Sequence, residues 1–461
     1  MKTPISKAQP GDYVEVHFSK LIYEGILLES PEDEKGILLL KLDSGYDIGF
    51  NKKDVLKIRV LRKFREEKKE KAEIKKQKDK PTIALIITGG TIASRLNPRK
   101  GGVEPITSSE DLLKYYPEIF ERVNVKVETP FMKASEDMDF KSWIAIAKVV
   151  EKNLKDGNIK GVIVTHGTDF LHYTAAALSF FLRNLNKPVV LTYSQRSIDR
   201  ASSDANLNLQ CSALAAISDI AEVMLVGHAT INDDFCYALP GAKVRKMHSS
   251  RRDAFKVING KPIAKIVSNV NGSRIEVMNN YNSRNSRLLP TTASPPPTLQ
   301  KKVIKNMLKS LTNNNKTKLD AKFEPKVALV KIYPGQNPEI LDYYLKKKYK
   351  GIVLELSGLG HLPVNGKNSW IRKLKEVQKK IFLCATTQTI YGRVDPYVYS
   401  NGREILKTGV VYLEDMLSET ALVKLGWVLG HSEWNKNKET IKEKMLENFA
   451  GEISERLEVE R

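Results

Sequence analysis

Apolar and polar positions change their rhythm twice along the chain. Up to residue 61, short alternating runs predict strands: Tyr13, Val14, Val16 and Phe18 in one, residues 37–40 and 48–50 in others. Gly11, Gly25, Gly36 and Gly45 fall between them, the turn pattern of a small β-barrel over residues 1–61. Residues 62–80, RKFREEKKEKAEIKKQKDK, have almost no apolar face. They read as a charged, solvated linker, with Glu67 and Lys71 at helical i,i+4 spacing.

From Pro81 the pattern alternates between buried strands and helices. Residues 83–88 are a continuous apolar run that ends in a glycine pair. Ser109 is a candidate cap for the helix EDLLKYY, and residues 124–131 form the next strand. Asp139 is placed to cap a helix whose Trp143, Ile144, Ala147, Val150 and Leu154 share one face, with Gly157 stopping it. Strands at 161–165, 189–192 and 223–226 alternate with helices at 174–185 and 203–217. Strands rich in β-branched residues on both faces, separated by helices, predict doubly wound parallel sheets. Residues 81–285 form the larger such unit. Residues 286–325 read as a connector, containing an Asn/Ser/Pro-rich stretch, a short basic helix and NNNKTK. A smaller α/β unit, 326–461, opens with VALVKIYPG and continues through strands at 351–356 and 382–385 to a helix at 418–429. The fold class is therefore α/β with a small N-terminal β-barrel, and no internal repeat is visible.

Composition narrows the function. The chain has 461 residues, 41% of them apolar, and no apolar run approaches the length of a membrane span. Its N-terminus lacks the apolar segment of a secretory signal. Cys211, Cys236 and Cys384 are odd in number and widely spaced, so the expectation is a reducing, cytoplasmic location without disulfides or a zinc site. Lysine and arginine number 75 against 54 acidic residues, a formal charge of +21. That balance suits an anionic partner such as RNA, or merely reflects a basic proteome.

Three loops sit where an open α/β sheet presents ligands. The first is Thr88-Gly89-Gly90-Thr91, whose glycines permit a sharp turn and expose the Thr91 hydroxyl. The second is Thr165-His166-Gly167-Thr168-Asp169. The third is VRKMHSSRRDAF, in which Lys243 and Lys246 are candidates for a base kept near neutrality by burial. Each alone reads more simply as a turn, a helix cap or a solvated basic surface, and His166 reads as structural.

Together and in this order, GGTIA, THGTD and the lysine segment ahead of Ala-Phe resemble the bacterial-type asparaginase/glutaminase family. The resemblance runs over about residues 82–430 and takes in YPG at 333–335, GLGHLP at 358–363 and SETALVKLGWVLG near the C-terminus. It is closer to one branch, the glutamine-hydrolysing, GatD-type chains of archaeal tRNA-dependent amidotransferases. Three features carry this: the N-terminal barrel, KMHSSRRDAF at 246–255 and TQTIYGRV at 387–394.

The resemblance implies a set of roles. Thr91 is the nucleophile. Thr168, Asp169 and Lys246 form a second cluster that polarises a hydroxyl or a water. Ser135 and Glu136 hold the substrate's α-groups, with Gly90 and Gly167 beside them. Backbone N–H groups near Gly89, Gly90 and Thr168 would stabilise the oxyanion. Family members carry a tyrosine on the loop after GGTIA, whereas here that loop, SRLNPRKGGVEP, has none. The group that first takes the threonine proton is left open by this.

The branch implies further that ammonia from glutamine passes to a GatE-type partner subunit, which binds tRNA(Gln) and uses ATP and magnesium. A homodimer core within a heterotetramer is expected, without a membrane. No P-loop and no metal-ligand cluster is found in this chain's sequence, so no cofactor is expected in it. A free-standing cytoplasmic L-asparaginase is the alternative, disfavoured by the barrel and the two later segments. A catalytically inert RNA-binding relative is disfavoured by the four polar residues being present together.

Overall fold

The computed structural model describes residues 8–30, 32–65, 77–97, 99, 102–106, 109–269, 272–284 and 317–457. Most of the charged stretch at 62–80 and of the connector at 286–325, including its expected basic helix, lies outside the described residues.

The N-terminal segment folds as a five-stranded antiparallel sheet. Its order is Asp47–Asn51, Ile37–Lys41, Ile22–Leu28, Tyr13–His17, Lys57–Arg62. Alternation places Val14 and Val16 with Leu38, Leu40, Val55 and Ile58 on the inner face, which is this sheet's own small core.

The central sheet has eight strands. Five are parallel, in the order Asn124–Glu128, Thr82–Ile87, Ile159–Thr165, Val189–Thr192, Val223–His228. Three antiparallel strands, Cys236–Pro240, Ala264–Asn269 and Gly272–Val277, extend it on one side. The parallel half is the doubly wound unit expected from the sequence, and the antiparallel half is an addition to it. Helix Phe140–Lys155 starts where expected. Asp139 accepts a hydrogen bond from Ser142 N at 3.0 Å in a capping box, worth about 0.5–2 kcal/mol. Three helices differ from expectation at their ends; the one expected at 203–217 spans Ala205–Ile217. Ser109 begins its helix as its first residue. The helix expected at 174–185 spans Leu171–Phe181, because Leu182–Arg183 leaves it to pair with Lys318–Leu319.

A second parallel sheet follows in simple order: Val327–Lys331, Gly351–Leu356, Phe382–Thr387, Val411–Tyr412. Helix Ser418–Leu429 joins the two sheets. It is buried along nearly its whole length and packs on helix Leu171–Phe181, with Trp427 stacked on Phe180 at 5.5 Å. Both helices are buried nearly all round, which fits a position between two layers rather than at a surface. Among the described residues no helix is long and apolar enough to cross a membrane.

Candidate active site

The order of the five parallel strands reverses between Thr82–Ile87 and Ile159–Thr165. Loops leaving such neighbours part to opposite sides and open a crevice at the strands' carboxyl ends. GGT leaves the first strand and THGTD the second, so the fold itself brings these two loops together.

Contacts then fix the loops closely. Thr88 Oγ1 donates to Thr165 O at 2.7 Å, and Lys133 N donates to Thr88 O at 3.0 Å. Gly89 and Gly90 both have positive φ, 134° and 88°. A Cβ on Gly89 would collide with the Lys133 carbonyl, and one on Gly90 with the His166 carbonyl and the Gly167 nitrogen. Only glycine allows this approach. Gly167 in turn packs on Ser135, and Phe170 N donates to Ser135 Oγ at 3.4 Å. Gly90, Gly167, Ser135 and Glu136 are thus brought to one place. Ser135 is buried and donates to Glu136 Oε2 at 3.2 Å, while Glu136 is exposed.

Thr91 follows directly, half-buried, in the 3₁₀ turn Thr91–Ala93. The turn is anchored from behind by buried Ile92 and Ala93 and by Tyr116, whose hydroxyl donates to Ile92 O at 2.6 Å. The Thr91 hydroxyl has no hydrogen-bond partner among the described residues. The chain then enters the hairpin Ser94–Asn97 with Gly102–Pro105.

The second threonine is held differently. Lys246 Nζ donates to Thr168 Oγ1 at 2.7 Å and to Asp169 Oδ1 at 2.8 Å. The lysine side chain is 10% exposed and Asp169 is 62% exposed. Lys246 reaches the crevice from the short hairpin Val244–Lys246 with Phe255–Val257, whose loop end is closed by Met247 N donating to Ala254 O. Phe255 is buried against Tyr193, so the hairpin is a packed element. The basic segment beyond it is not merely solvated. Asp253 is buried and accepts from Arg251 and Lys256, and the Arg251 guanidinium holds its carboxyl well below the usual range.

Lys243 is elsewhere. It is buried and paired with the buried Asp415 at 2.6 Å, joining the central sheet to the C-terminal unit. His166 is fully buried. Its Nδ1–H donates to Gly167 O at 2.7 Å, its Nε2 accepts from Thr174 Oγ1 at 2.8 Å, and burial pushes it down to about 4. It stays neutral and shapes the loop.

Beside Lys246 and Asp169 lies a cleft of about 410 Å³, also lined by Phe170, His172, Arg245 and Glu419. The Arg245–Glu419 ion pair, 3.3 Å, crosses from the hairpin that carries Lys246 to helix Ser418–Leu429. Sequence reading singled out SETALVKLGWVLG but not Glu419 within it, since its partner lies far away along the chain. Among the described residues no group of three His, Cys, Asp or Glu side chains is placed to hold a metal ion.

Comparison with known proteins agrees with this architecture. Residues 82–281 match the asparaginase N-terminal family, 326–445 the glutaminase/asparaginase C-terminal domain, and 8–61 the GatD N-terminal domain. The GatD chain of the glutamyl-tRNA(Gln) amidotransferase of Pyrococcus furiosus is 45% identical over 96% of this chain and 94% of its own length. Its counterpart in Archaeoglobus fulgidus is 38% identical over 97% and 96%. Among solved structures, the thermostable L-asparaginase from Thermococcus kodakarensis aligns with a TM-score of 0.65 at 29% identity, covering 81% of this chain and all of that one. L-asparaginase I from Vibrio cholerae gives 0.63 at 26%, covering 81% and 99%. An asparaginase-type amidohydrolase body that carries the additional N-terminal sheet, the chain belongs to the GatD family of glutamyl-tRNA(Gln) amidotransferase subunits.

Proposed function

We propose that this chain hydrolyses glutamine through Thr91 and supplies the ammonia to a partner subunit that converts Glu-tRNA(Gln) to Gln-tRNA(Gln). The observation that carries the chemistry is Lys246 bridging Thr168 and Asp169 at the crevice beside the Gly90–Thr91 turn.

A threonine hydroxyl attacks an amide poorly unless its proton is removed. Thr91 Oγ1 forms the new C–O bond, the C–N bond breaks, and ammonia leaves carrying the hydroxyl proton. A water then cleaves the acyl ester, returning a proton to Thr91 and releasing glutamate. Lys246, with its three donors directed by Asp169, fixes the Thr168 hydroxyl for that second step. Each positioned acid or base contributes about 10²–10⁴ in rate. Ser135 and Glu136 receive the substrate's α-groups at the Gly167 side of the crevice. The partner of the GatE type activates the glutamyl ester with ATP and magnesium and carries the main tRNA contacts. A dimer of this chain forms the core of a heterotetramer.

The test is ammonia release from glutamine and from asparagine, with and without Glu-tRNA(Gln) and the partner. Release from glutamine that rises when both are present is the expected result. A chain that consumed only asparagine, unaffected by either, would be a free-standing asparaginase.

A further inference from the structure

We propose that Asp233, backed by His228, is a positioning residue for Lys246: it pins Arg252 at the loop end of the hairpin and thereby holds the lysine on Thr168. The inference rests on the reaction proposed above, in which Lys246 and Thr168 serve the second step.

The hairpin has two strands of three residues each and joins no larger sheet among the described residues. A ribbon of this size is marginal by itself, so its side contacts decide where it sits. Lys246 is the last strand residue before the loop. Opposite it stands Phe255, packed on Tyr193 at 4.6 Å, and next to it Arg245 reaches Glu419. At the far side of the loop Arg252 is held at both ends. Its carbonyl accepts from the Tyr193 hydroxyl at 2.8 Å. Its guanidinium donates through Nη1 to Asp233 Oδ1 at 2.8 Å and through Nη2 to the Ile231 carbonyl.

Asp233 is 61% exposed, and an ion pair at the surface is worth little. Its two partners, however, are not at the surface. The Arg252 side chain is 16% exposed and that of His228 is fully buried. His228 ends the strand Val223–His228 of the central sheet, and its ring stands between two oxygens, Asn208 Oδ1 at 2.6 Å and Asp233 Oδ1 at 2.9 Å. Asn208 Nδ2 donates to Tyr193 O at 2.9 Å, so the amide oxygen is the atom that faces the ring. Both ring nitrogens therefore donate. Partial burial would raise the Asp233 carboxyl, yet the hydrogen bonds from His228 and Arg252 hold it below its ordinary value. One oxygen of Asp233 thus ties the end of a central strand to the loop end of the Lys246 hairpin. Without it the guanidinium keeps only the Ile231 carbonyl.

The test uses the full chain in complex with its partner and Glu-tRNA(Gln). It reads kcat, KM for glutamine and the intact mass of the chain during turnover. Asp233→Ala should lower kcat and KM together by about tenfold, within the loss caused by misplacing a group by an ångström. Their ratio should stay unchanged, and an acyl adduct should accumulate on the Thr91 peptide. The split arises because kcat/KM reports the steps up to acyl formation, whereas Lys246 serves its removal. Arg252→Ala should do the same, and the double variant should lose no more than either alone. Asp233→Asn keeps Oδ1 and should stay near wild type. Turnover near wild type in Asp233→Ala would overturn the proposal. A fall in kcat at unchanged KM with no adduct would also overturn it, since loss of folded protein alone gives that pattern. An Asp233→Asn variant as slow as Asp233→Ala would overturn it too, because the two bonds to Oδ1 would then not be what holds the loop. A Thr168→Ala control with no adduct on Thr91 would instead overturn the reaction on which the inference rests.

Discussion

Thr91 and Thr168 leave neighbouring strands of one sheet, yet their hydroxyls are held in opposite ways. Thr168 is fixed before any substrate arrives, by a lysine that is itself fixed by Asp169. Thr91 is anchored through its backbone and the residues behind it, and among the described residues its hydroxyl has no hydrogen-bond partner. The chain beyond Thr168 runs into a helix buried on all sides. The chain beyond Thr91 runs into a two-stranded hairpin that joins no larger sheet among the described residues. One threonine is therefore preorganised and the other is completed by what binds. That difference fits the reaction proposed above, with attack on a bound substrate first and delivery of a water afterwards.

The sharpest test separates the two steps. Thr91→Ala and Thr168→Ala should each lower glutamine turnover by more than about 10²-fold, the floor for a positioned catalytic group. They should differ in what accumulates. Thr168→Ala retains the nucleophile, so intact-mass analysis during turnover should show an acyl adduct on the Thr91 peptide. Thr91→Ala should show none. An adduct on Thr168 in the Thr91 variant would reverse the assignment. Added ammonium should restore amidated tRNA in the complex for both.

Next come the two lysines of the third loop. Lys246→Met should cost about 10²-fold in turnover with the fold intact. Lys243→Met should act on stability, because it strands the buried Asp415 carboxylate, and breaking a buried pair costs about 3–5 kcal/mol. Denaturant unfolding and kinetics on both variants make the check. Equal loss of turnover at equal stability would mean that the loop's register at the site is misplaced.

Gly90→Ala tests the contact between the two threonine loops. The new methyl meets the His166 carbonyl in a backbone conformation that L residues rarely adopt. Loops pushed apart by an ångström should lose up to about 10²-fold in turnover. Turnover near wild type would show that the two loops need not touch.

These contrasts also mark what could be read from the chain. GGT and THGTD were legible because local rules place glycine pairs and capping residues at strand ends, and strand order then brings them together. The placement of Lys246 beside Thr168 and Asp169 was legible only through resemblance, since Lys243 sits in the same segment with the same local character. What separates them is a partner, Thr168 and Asp169 for one and Asp415 for the other. Glu419 and His172 were not legible at all. Each lies in an apolar helix where a polar residue signals nothing until the opposing wall is known. The antiparallel strands from Cys236 to Val277 were hidden for a related reason, because their partners are set by sheet extension rather than by a βα repeat.

The smallest effect concerns the hairpin after Thr91 and the N-terminal sheet. Lys41 pairs with Asp199 at 2.9 Å, and Ala201 N donates to Gly45 O, so the sheet is docked on a loop at the same edge as the site. Phe64, held by its N–H on Asp12, extends from that sheet and lies 4.5 Å beneath the Arg99 guanidinium of the hairpin. The contact ties the less organised threonine loop to the extra N-terminal unit. Phe64→Ala and Arg99→Ala should each lower glutamine hydrolysis by about two- to fivefold, the scale of an exposed cation–π contact. The double variant should lose no more than either alone, because the two residues act through one contact. Removing residues 1–80 should cost hydrolysis no more than Phe64→Ala does, while weakening amidation of tRNA in the complex more strongly. Hydrolysis unchanged in both single variants would show that the hairpin orders around substrate without help. Hydrolysis abolished by the truncation in a folded protein would make the N-terminal sheet part of the active site, and the contrast between the two threonines would then lie partly outside the sheet that bears them.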